Sequence, residues 1–167
     1  MSPLAGRYRS DMNTKPEVQT VQVSVDPSIV KTGVCIWSQG KVIRVATLRT
    51  GKGTDIDRAL RLKIMFQNLL AEYCSDNSQV TTVAIEEFMK HRKNPMLDMM
   101  RCSMAQGVLV ATADEWCDDV RLVSKGTAPK SEAALLAHAA NIKGSADAID
   151  AFHLGIVAGF DRWNQST

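Results

Sequence analysis

Hydrophobic and polar residues alternate in several short segments of this chain, a pattern typical of β-strands. In the first segment, VQVSVD, the residues Val21, Val23 and Val25 share one face and Asp26 ends the run. The first three segments follow one another closely and are predicted to be antiparallel. The five predicted strands cover residues 21–26, 33–38, 41–50, 80–88 and 120–124.

Apolar residues recur at helical spacing between and after these strands. A helix is predicted after a cap at Thr54 or Asp55, with apolar positions at Ile56, Leu60, Ile64, Leu69 and Tyr73. Strands and helices in this order predict a mixed α/β fold with helices on both faces of one sheet. The predicted helices cover residues 56–75, 96–116, 129–141 and 146–163.

Composition indicates one ordinary soluble domain, since 45% of the 167 residues are apolar and 23% are charged. The net charge of +2 does not by itself require a nucleic-acid partner. No run approaches 18 apolar residues, so no membrane partner is expected. Residues 1–20 are predicted to be a flexible tail before a domain at 21–167. The four cysteines form no C-x-x-C pair and are expected to be buried thiols in a reducing cytoplasm.

Acidic residues stand where predicted strands end. Asp26 follows the first strand and precedes a proline, so a simple turn is one interpretation. Glu86 and Glu87 end the strand VAIEEF, and a surface strand end is the corresponding interpretation there. Because adjacent strand residues face opposite sides, at most one of these two glutamates can share a site with Asp26.

A second acidic pair opens the last predicted helix. Asp147 and Asp150 follow a Ser145 cap and, three residues apart, lie on one helix face. The helix dipole accounts for Asp147 but explains Asp150 poorly, and that face runs inward. Together with Asp26 and Glu86 they form a four-carboxylate set. Hard oxygen ligands of this number suit Mg²⁺ or Mn²⁺, and two such ions about 4 Å apart can clamp a phosphodiester displacement.

The order of these motifs resembles the RuvC family of Holliday-junction resolvases, in the ribonuclease H-like superfamily. DPSIVKTG at 26–33, the Ile-Glu pair at 85–86 and DAIDA at 147–151 match the family's motifs in order. MAQGVLVATA at 104–113 resembles the helix that follows the glutamate. The resemblance covers residues 21–160 and implies a ribonuclease H-like fold, with a central mixed sheet of about five strands.

The resemblance also implies a function and a site. A member of this family is a structure-selective endonuclease that resolves four-way DNA junctions by paired metal-dependent nicks, and it acts on branched DNA as a homodimer. By resemblance, Asp26, Glu86, Asp147 and Asp150 are catalytic metal ligands, for two Mg²⁺ or Mn²⁺ ions in each active site.

The family's active-site lysine is best matched by Lys130, and Lys125 is the competing residue and a candidate DNA contact. Phe88 lies near the place of an aromatic wedge that enters the junction, but one residue closer to the glutamate, and a core position is the alternative. These departures suggest a divergent member of the family, for which a virus is one possible source.

Basic residues follow the proposed glutamate in the loop MKHRKNP at 89–95. Lys90, Arg92 and Lys93 are candidate phosphate contacts, although a charged run is often only a solvated surface. Such contacts would supply position and salt dependence and would not read bases.

The next predicted helix is apolar over a wide arc. Met96, Met100 and Met104 form a stripe, which Leu97 and Leu109 widen. We interpret this helix as core on one side and dimer contact on the other.

Other classes of protein stay open at this point. An actin-like ATPase domain also places an aspartate and a glycine-rich turn between early strands, but this chain is too short for the paired domains of that superfamily. A non-catalytic junction-binding protein of the same fold would not require all four carboxylates. Among enzymes, a ribonuclease H-type or flap-type nuclease is the closest alternative.

Overall fold

The structure, a computed structural model, describes residues 18–88, 95–126 and 130–162. These residues form five strands, four helices and a single turn of 3-10 helix at Phe160–Arg162. The strands are β1 (Gln19–Asp26), β2 (Lys31–Ser38), β3 (Lys41–Arg49), β4 (Ser78–Glu86) and β5 (Asp119–Val123). The helices are α1 (Asp55–Ala71), α2 (Met96–Asp114), α3 (Lys130–Ala139) and α4 (Ala146–Val157).

All five strands belong to one mixed sheet in the order β3-β2-β1-β4-β5. The hairpin neighbours β1, β2 and β3 are antiparallel, whereas β4 is parallel to both β1 and β5. As a result, β1, β3, β4 and β5 all end at one edge of the sheet, where β2 begins. We refer to this edge as the carboxyl edge. The predicted mixed α/β class, with a sheet of about five strands, is confirmed.

One face of the sheet carries the main hydrophobic core. Val21, Val23 and Val25 project from β1 to this face, as their alternation predicts, and pack beneath α1 and α2. The buried residues of these two helices are Ala59, Leu62, Phe66, Leu69 and Leu70 in α1, and Ala105, Leu109, Thr112 and Ala113 in α2.

The opposite face is covered by α4, against which α3 packs. Trp37 of β2 stacks on Phe152 of α4, with ring centroids 5.4 Å apart. Gly155 leaves room for the indole, because a Cβ atom at this position would lie 2.4 Å from the Trp37 ring. Helices therefore cover both faces of the sheet, as predicted.

The apolar positions expected on α1 do not all face the sheet: Leu69 is buried, but the first three are exposed. Ile56, Leu60 and Ile64 are 66%, 58% and 57% exposed. This helix carries two apolar stripes at helical spacing, and the one that contains Leu62 and Phe66 is buried. Periodicity alone does not choose between two such stripes, because only packing against the sheet separates them.

Several element boundaries also differ from the predicted ones. The predicted tail reached residue 20, but β1 already begins at Gln19, whose N–H donates to the Asn77 carbonyl. Helix α1 ends at Ala71, four residues early, and α4 ends at Val157 rather than at residue 163. Gly159 has φ +82°, a left-handed conformation that helices do not continue through. None of the described helices is both long and apolar enough to cross a membrane.

Candidate active site

Two acidic residues end neighbouring parallel strands at the carboxyl edge. Asp26 is the last residue of β1 and Glu86 is the last residue of β4. Each side chain shares a face with the residue two positions earlier, which is Ser24 in β1 and Ala84 in β4. Ser24 bonds to α4, and Ala84 belongs to the cluster beneath it. Both carboxylates therefore project on the face that α4 covers.

The second glutamate of VAIEEF does not share this face. Glu87 is exposed, and its N–H donates to the Val123 carbonyl at 2.9 Å, a bond that belongs to the last pair of the ladder, Glu86 with Val123. Strand alternation allows only one of the two glutamates beside Asp26, and the structure places Glu86 there.

Helix α4 begins directly above Asp26 because β2 carries a glycine opposite it. Gly33 pairs with Asp26 in the sheet, and a Cβ atom at Gly33 would lie 1.9 Å from the Asp147 carbonyl oxygen. No larger residue fits between β2 and the first turn of α4. Gly33 thus brings the backbone of Asp147 against the strand that adjoins Asp26.

Hydrogen bonds fix α4 in this position at two points. At its start, the hydroxyl of the cap residue Ser145 lies 2.6 Å from the Thr47 hydroxyl of β3 and accepts the Ala148 N–H. One turn further on, the buried Ser24 hydroxyl donates to the Ala151 carbonyl at 2.7 Å. Ser24 itself accepts the Trp37 indole N–H at 2.9 Å. These bonds determine where Asp147 and Asp150 stand above the sheet.

Three of the four carboxylates converge on one ammonium group. The Nζ atom of Lys125 lies 3.0 Å from an oxygen of Glu86, 3.4 Å from one of Asp26 and 3.9 Å from one of Asp150. The Lys125 side chain is only 14% exposed. Asp147 lies one turn before Asp150 on α4. Its carboxylate forms no ion pair with a described residue.

Burial and the close charges shift the pKa values of Asp26 and Lys125. Burial and the hydrogen bond with Glu86 raise the pKa of Asp26, against the opposing effect of the Lys125 ammonium, to about 8. Burial alone would lower the pKa of Lys125, but Asp26, Glu86 and Asp150 together raise it above its ordinary value. Three carboxyl groups therefore share one cation, and the cluster carries an excess of negative charge that favours a further cation.

The chemistry of this donor set fits a divalent ion. Carboxylate oxygens from β1, β4 and α4 are the ligands that Mg²⁺ and Mn²⁺ prefer. Within residues 18–88, 95–126 and 130–162, no three histidine, cysteine or acidic side chains are grouped as a metal site. The carboxylates meet instead around the Lys125 ammonium, which stands as the cation of the cluster.

The other residues that the sequence predicts for the site are Phe88, Lys130 and the basic residues of the 89–95 loop. Phe88 is half-buried, and its backbone N–H donates to the Gln106 side-chain oxygen of α2 at 2.8 Å. Lys130 is the first residue of α3, and its side chain lies outside the described part of the chain. The basic candidates Lys90, Arg92 and Lys93 also lie outside the described residues.

Sequence reasoning missed the residues that hold the acidic groups in place. Ser24 was recognisable only as a polar residue on the second face of an apolar strand, and Thr47 gave no local signal. Gln106 belongs to a recognised segment, but nothing in its spacing points to Phe88. Each acts through a partner distant in sequence, and local patterns do not reveal such pairs.

Solved structures of other proteins share the fold of this chain. No protein-family model matches the chain, and no curated protein matches it in sequence. A RuvC from T. thermophilus, solved in complex with a Holliday junction substrate, superimposes with a TM-score of 0.67. The match covers 89% of this chain and 98% of that one, at 17% sequence identity. The chain has the fold of RuvC.

Further structures show the same likeness. A second Thermus thermophilus RuvC structure matches with a TM-score of 0.61 and 17% identity, over 84% of this chain and 93% of that one. A yeast mitochondrial Holliday junction resolvase, Ydc2, matches at 15% identity over 90% of this chain and 82% of that one, with a TM-score of 0.49. The two RuvC matches confirm the RuvC fold that the order of motifs predicts, and no finding supports a viral origin.

Proposed function

We propose that the protein is a metal-dependent endonuclease that resolves four-way DNA junctions. The observation that carries this proposal is the convergence of Asp26, Glu86 and Asp150 at the carboxyl edge of a RuvC fold. Partly buried carboxylates at the ends of core strands are costly for folding unless cations meet them, and here three of them share the single ammonium of Lys125. Their placement together supports a catalytic role.

The four carboxylates would hold Mg²⁺ or Mn²⁺, with two ions in each active site. When bound, the ions stabilise the charge on the attacking and leaving oxygens of the phosphodiester. Asp26 and Glu86 supply ligands from the sheet, and Asp147 and Asp150 supply them from α4. The protein's own contribution is to hold these groups on rigid elements, since Gly33 and the bonds to α4 leave them little freedom to move.

Lys125 is the cation best placed to act on the substrate. Its ammonium already lies among the carboxylates, and a phosphate that enters the cluster would meet its N–H donors. A donor fixed in a partly buried site stabilises the negative charge that grows in the transition state. Lys130, the residue preferred by motif matching, is at the start of α3 and remains the alternative.

Recognition of the junction would use the segment that leaves β4. The hydrogen bond from the Phe88 N–H to Gln106 fixes the backbone two residues after Glu86. Lys90, Arg92 and Lys93 follow immediately and would contact phosphates beside the cut strand. We assign Phe88 to this recognition segment, where a half-buried aromatic ring can stack on a base.

A homodimer is part of this proposal, because a four-way junction presents two symmetric strands to cut. An apolar surface suited to this runs over α1 and α2. The two helices lie side by side, joined by ion pairs between Arg101 and Asp55 and between Lys63 and Glu115. The exposed apolar residues of this surface are Ile56, Leu60 and Ile64 of α1 and Met96, Leu97 and Met100 of α2.

Digestion of a panel of synthetic DNAs tests the function. The panel contains four-way junctions, flaps, RNA–DNA hybrids and linear duplexes, each with Mg²⁺, Mn²⁺ or EDTA. We expect paired, symmetric nicks in the junctions only, with a metal present, and no cutting by the Asp150→Asn variant. Preferred cutting of flaps or hybrids would replace junction resolution with another nuclease activity. If the protein binds junctions but cuts none of the DNAs with either metal, it is a non-catalytic junction-binding protein.

A further inference from the structure

Two cations stand directly opposite each other at the carboxyl edge. Lys31, the first residue of β2, is the sheet partner of Arg49, the last residue of β3, and both are exposed. Like charges in this position destabilise a sheet. Among the described residues, neither side chain forms an ion pair.

The pair lies on the face of the sheet that carries the acidic cluster. Lys31 is two residues from Gly33, which underlies the backbone of Asp147, and Arg49 is two residues from Thr47, which bonds the cap of α4. Because side chains alternate, all four strand residues project to the α4 face. Lys31 and Arg49 therefore extend the active-site surface outward by about 7 Å along the strands.

The two strand ends cannot move apart to relieve the repulsion. Thr50 follows Arg49, and its buried hydroxyl donates to the Ile29 carbonyl at 2.6 Å. The Thr50 N–H donates to the Val30 carbonyl at 3.2 Å, directly before Lys31. On the other side, the Arg61 guanidinium donates to the Thr50 carbonyl at 2.6 Å. The backbone positions of Lys31 and Arg49 are thus held side by side.

We infer that Lys31 and Arg49 form a binding site for a backbone phosphate of the strand being cut, next to the bond that is broken. A phosphate between the two would supply the missing negative charge. The arginine fork suits two phosphate oxygens, and the lysine adds a point charge. This inference rests on the proposed function, and it adds a contact that positions the strand without reading its sequence.

Salt-dependent binding of a four-way junction tests the site. The whole protein is measured in EDTA, so that no cutting occurs, with single Lys31→Gln and Arg49→Gln variants and the double variant. Each lost phosphate contact should lower the slope of log affinity against log salt by about 0.9. We expect the double variant to bind about tenfold or more weakly near 0.1 M salt. Without DNA, its thermal stability should be equal or higher.

Lys41→Gln is the matched control, because Lys41 is an exposed lysine at the opposite end of the same hairpin. It removes the same charge from the same two strands. We expect its salt slope and affinity to equal those of the parent protein.

The possible failures are distinguishable. If Lys31→Gln and Arg49→Gln behave like Lys41→Gln while the parent binds junctions, the phosphate site is refuted and the proposed function stands. If the parent binds junctions without cutting them, the nuclease proposal fails; loss of affinity in the double variant then supports Lys31 and Arg49 as a phosphate contact and refutes their placement beside a cut bond. If the parent binds no nucleic acid, both are refuted.

Discussion

At the scale of single residues, the site places three carboxyl groups around one ammonium group, that of Lys125. Burial and the hydrogen bond with Glu86 raise the pKa of Asp26 to about 8. A metal-free protein therefore holds its acidic cluster under electrostatic strain that Lys125 relieves only in part. Substitutions at the two positions should consequently have opposite effects on stability.

The Asp26→Asn variant should change how stability depends on pH. In the unfolded chain this carboxyl titrates near 3.9, so between about pH 4 and pH 8 unfolding releases a proton. The free energy of unfolding of the metal-free parent should fall as pH rises through this window and level off above it, with a slope of at most about 1.4 kcal/mol per pH unit. The variant lacks this contribution and should be the more stable protein at pH 8.

Urea unfolding in EDTA from pH 5 to pH 9 measures this difference. Added Mg²⁺ should stabilise the parent more than the variant, because the variant has lost a ligand. A turn or capping role for Asp26 gives the reverse order, with the variant less stable by about 1 kcal/mol at every pH.

The Lys125→Met substitution should change the stability of the metal-free protein in the opposite direction and lower it. Removal of the ammonium leaves three carboxylates without a cation, so the metal-free protein should lose roughly 2 kcal/mol or more of stability near neutral pH. Added Mg²⁺ should then raise its melting temperature by more than it raises that of the parent. Cleavage should slow by about tenfold or more, with junction affinity nearly unchanged.

Lys130→Ala serves as the comparison for Lys125. If Lys130→Ala slows cleavage in this way and Lys125→Met does not, Lys130 is the lysine that acts on the substrate. Equal melting temperatures of Lys125→Met and the parent in EDTA would contradict the role given to its ammonium.

At the scale of elements, the close approach of α4 to β2 sets the position of Asp147 and Asp150 relative to Asp26. Gly33→Ala places a methyl group where the Asp147 carbonyl now lies, so α4 must shift away from the sheet. We expect a loss of about 1–3 kcal/mol in the free energy of unfolding, as for other overpacked sites. The shift should also raise the Mg²⁺ concentration needed for half-maximal cleavage, because Asp147 and Asp150 move relative to Asp26.

Gly107→Ala is the matched control, since nothing lies within 4 Å of a Cβ at this exposed helical position. It should be neutral or stabilising by up to about 1 kcal/mol, through helix propensity. Gly33→Ala with parental stability and parental Mg²⁺ dependence would show that α4 tolerates displacement and does not position the acidic groups.

At the scale of the whole molecule, the exposed apolar residues of α1 and α2 are where we expect a second copy of the chain to bind. Large apolar residues exposed together on neighbouring helices are typical of an interaction site. Leu60→Glu and Met100→Glu each place a charge on it without touching the buried faces of their helices. We expect both variants to sediment as monomers at micromolar concentration while the parent sediments as a dimer, and paired nicking to become single nicking.

Leu135→Glu is a suitable control, because Leu135 of α3 is 72% exposed and lies away from this surface. It should leave the assembly unchanged. A parent that remains monomeric at these concentrations, both alone and on junction DNA, would contradict the homodimer.

The sequence by itself determined the order of the elements and the side on which several acidic groups project. Alternation in VQVSVD separates Asp26 from the buried valines, and helical spacing places Asp147 and Asp150 on one face. These features follow from local backbone geometry, which has a fixed period. Tertiary structure decided the rest: the meeting of Lys125 with Asp26 across 99 positions, the burial of Phe66 instead of Leu60, and the pairing of Lys31 with Arg49. Such features depend on which surfaces pack together, and packing joins residues that no local period relates.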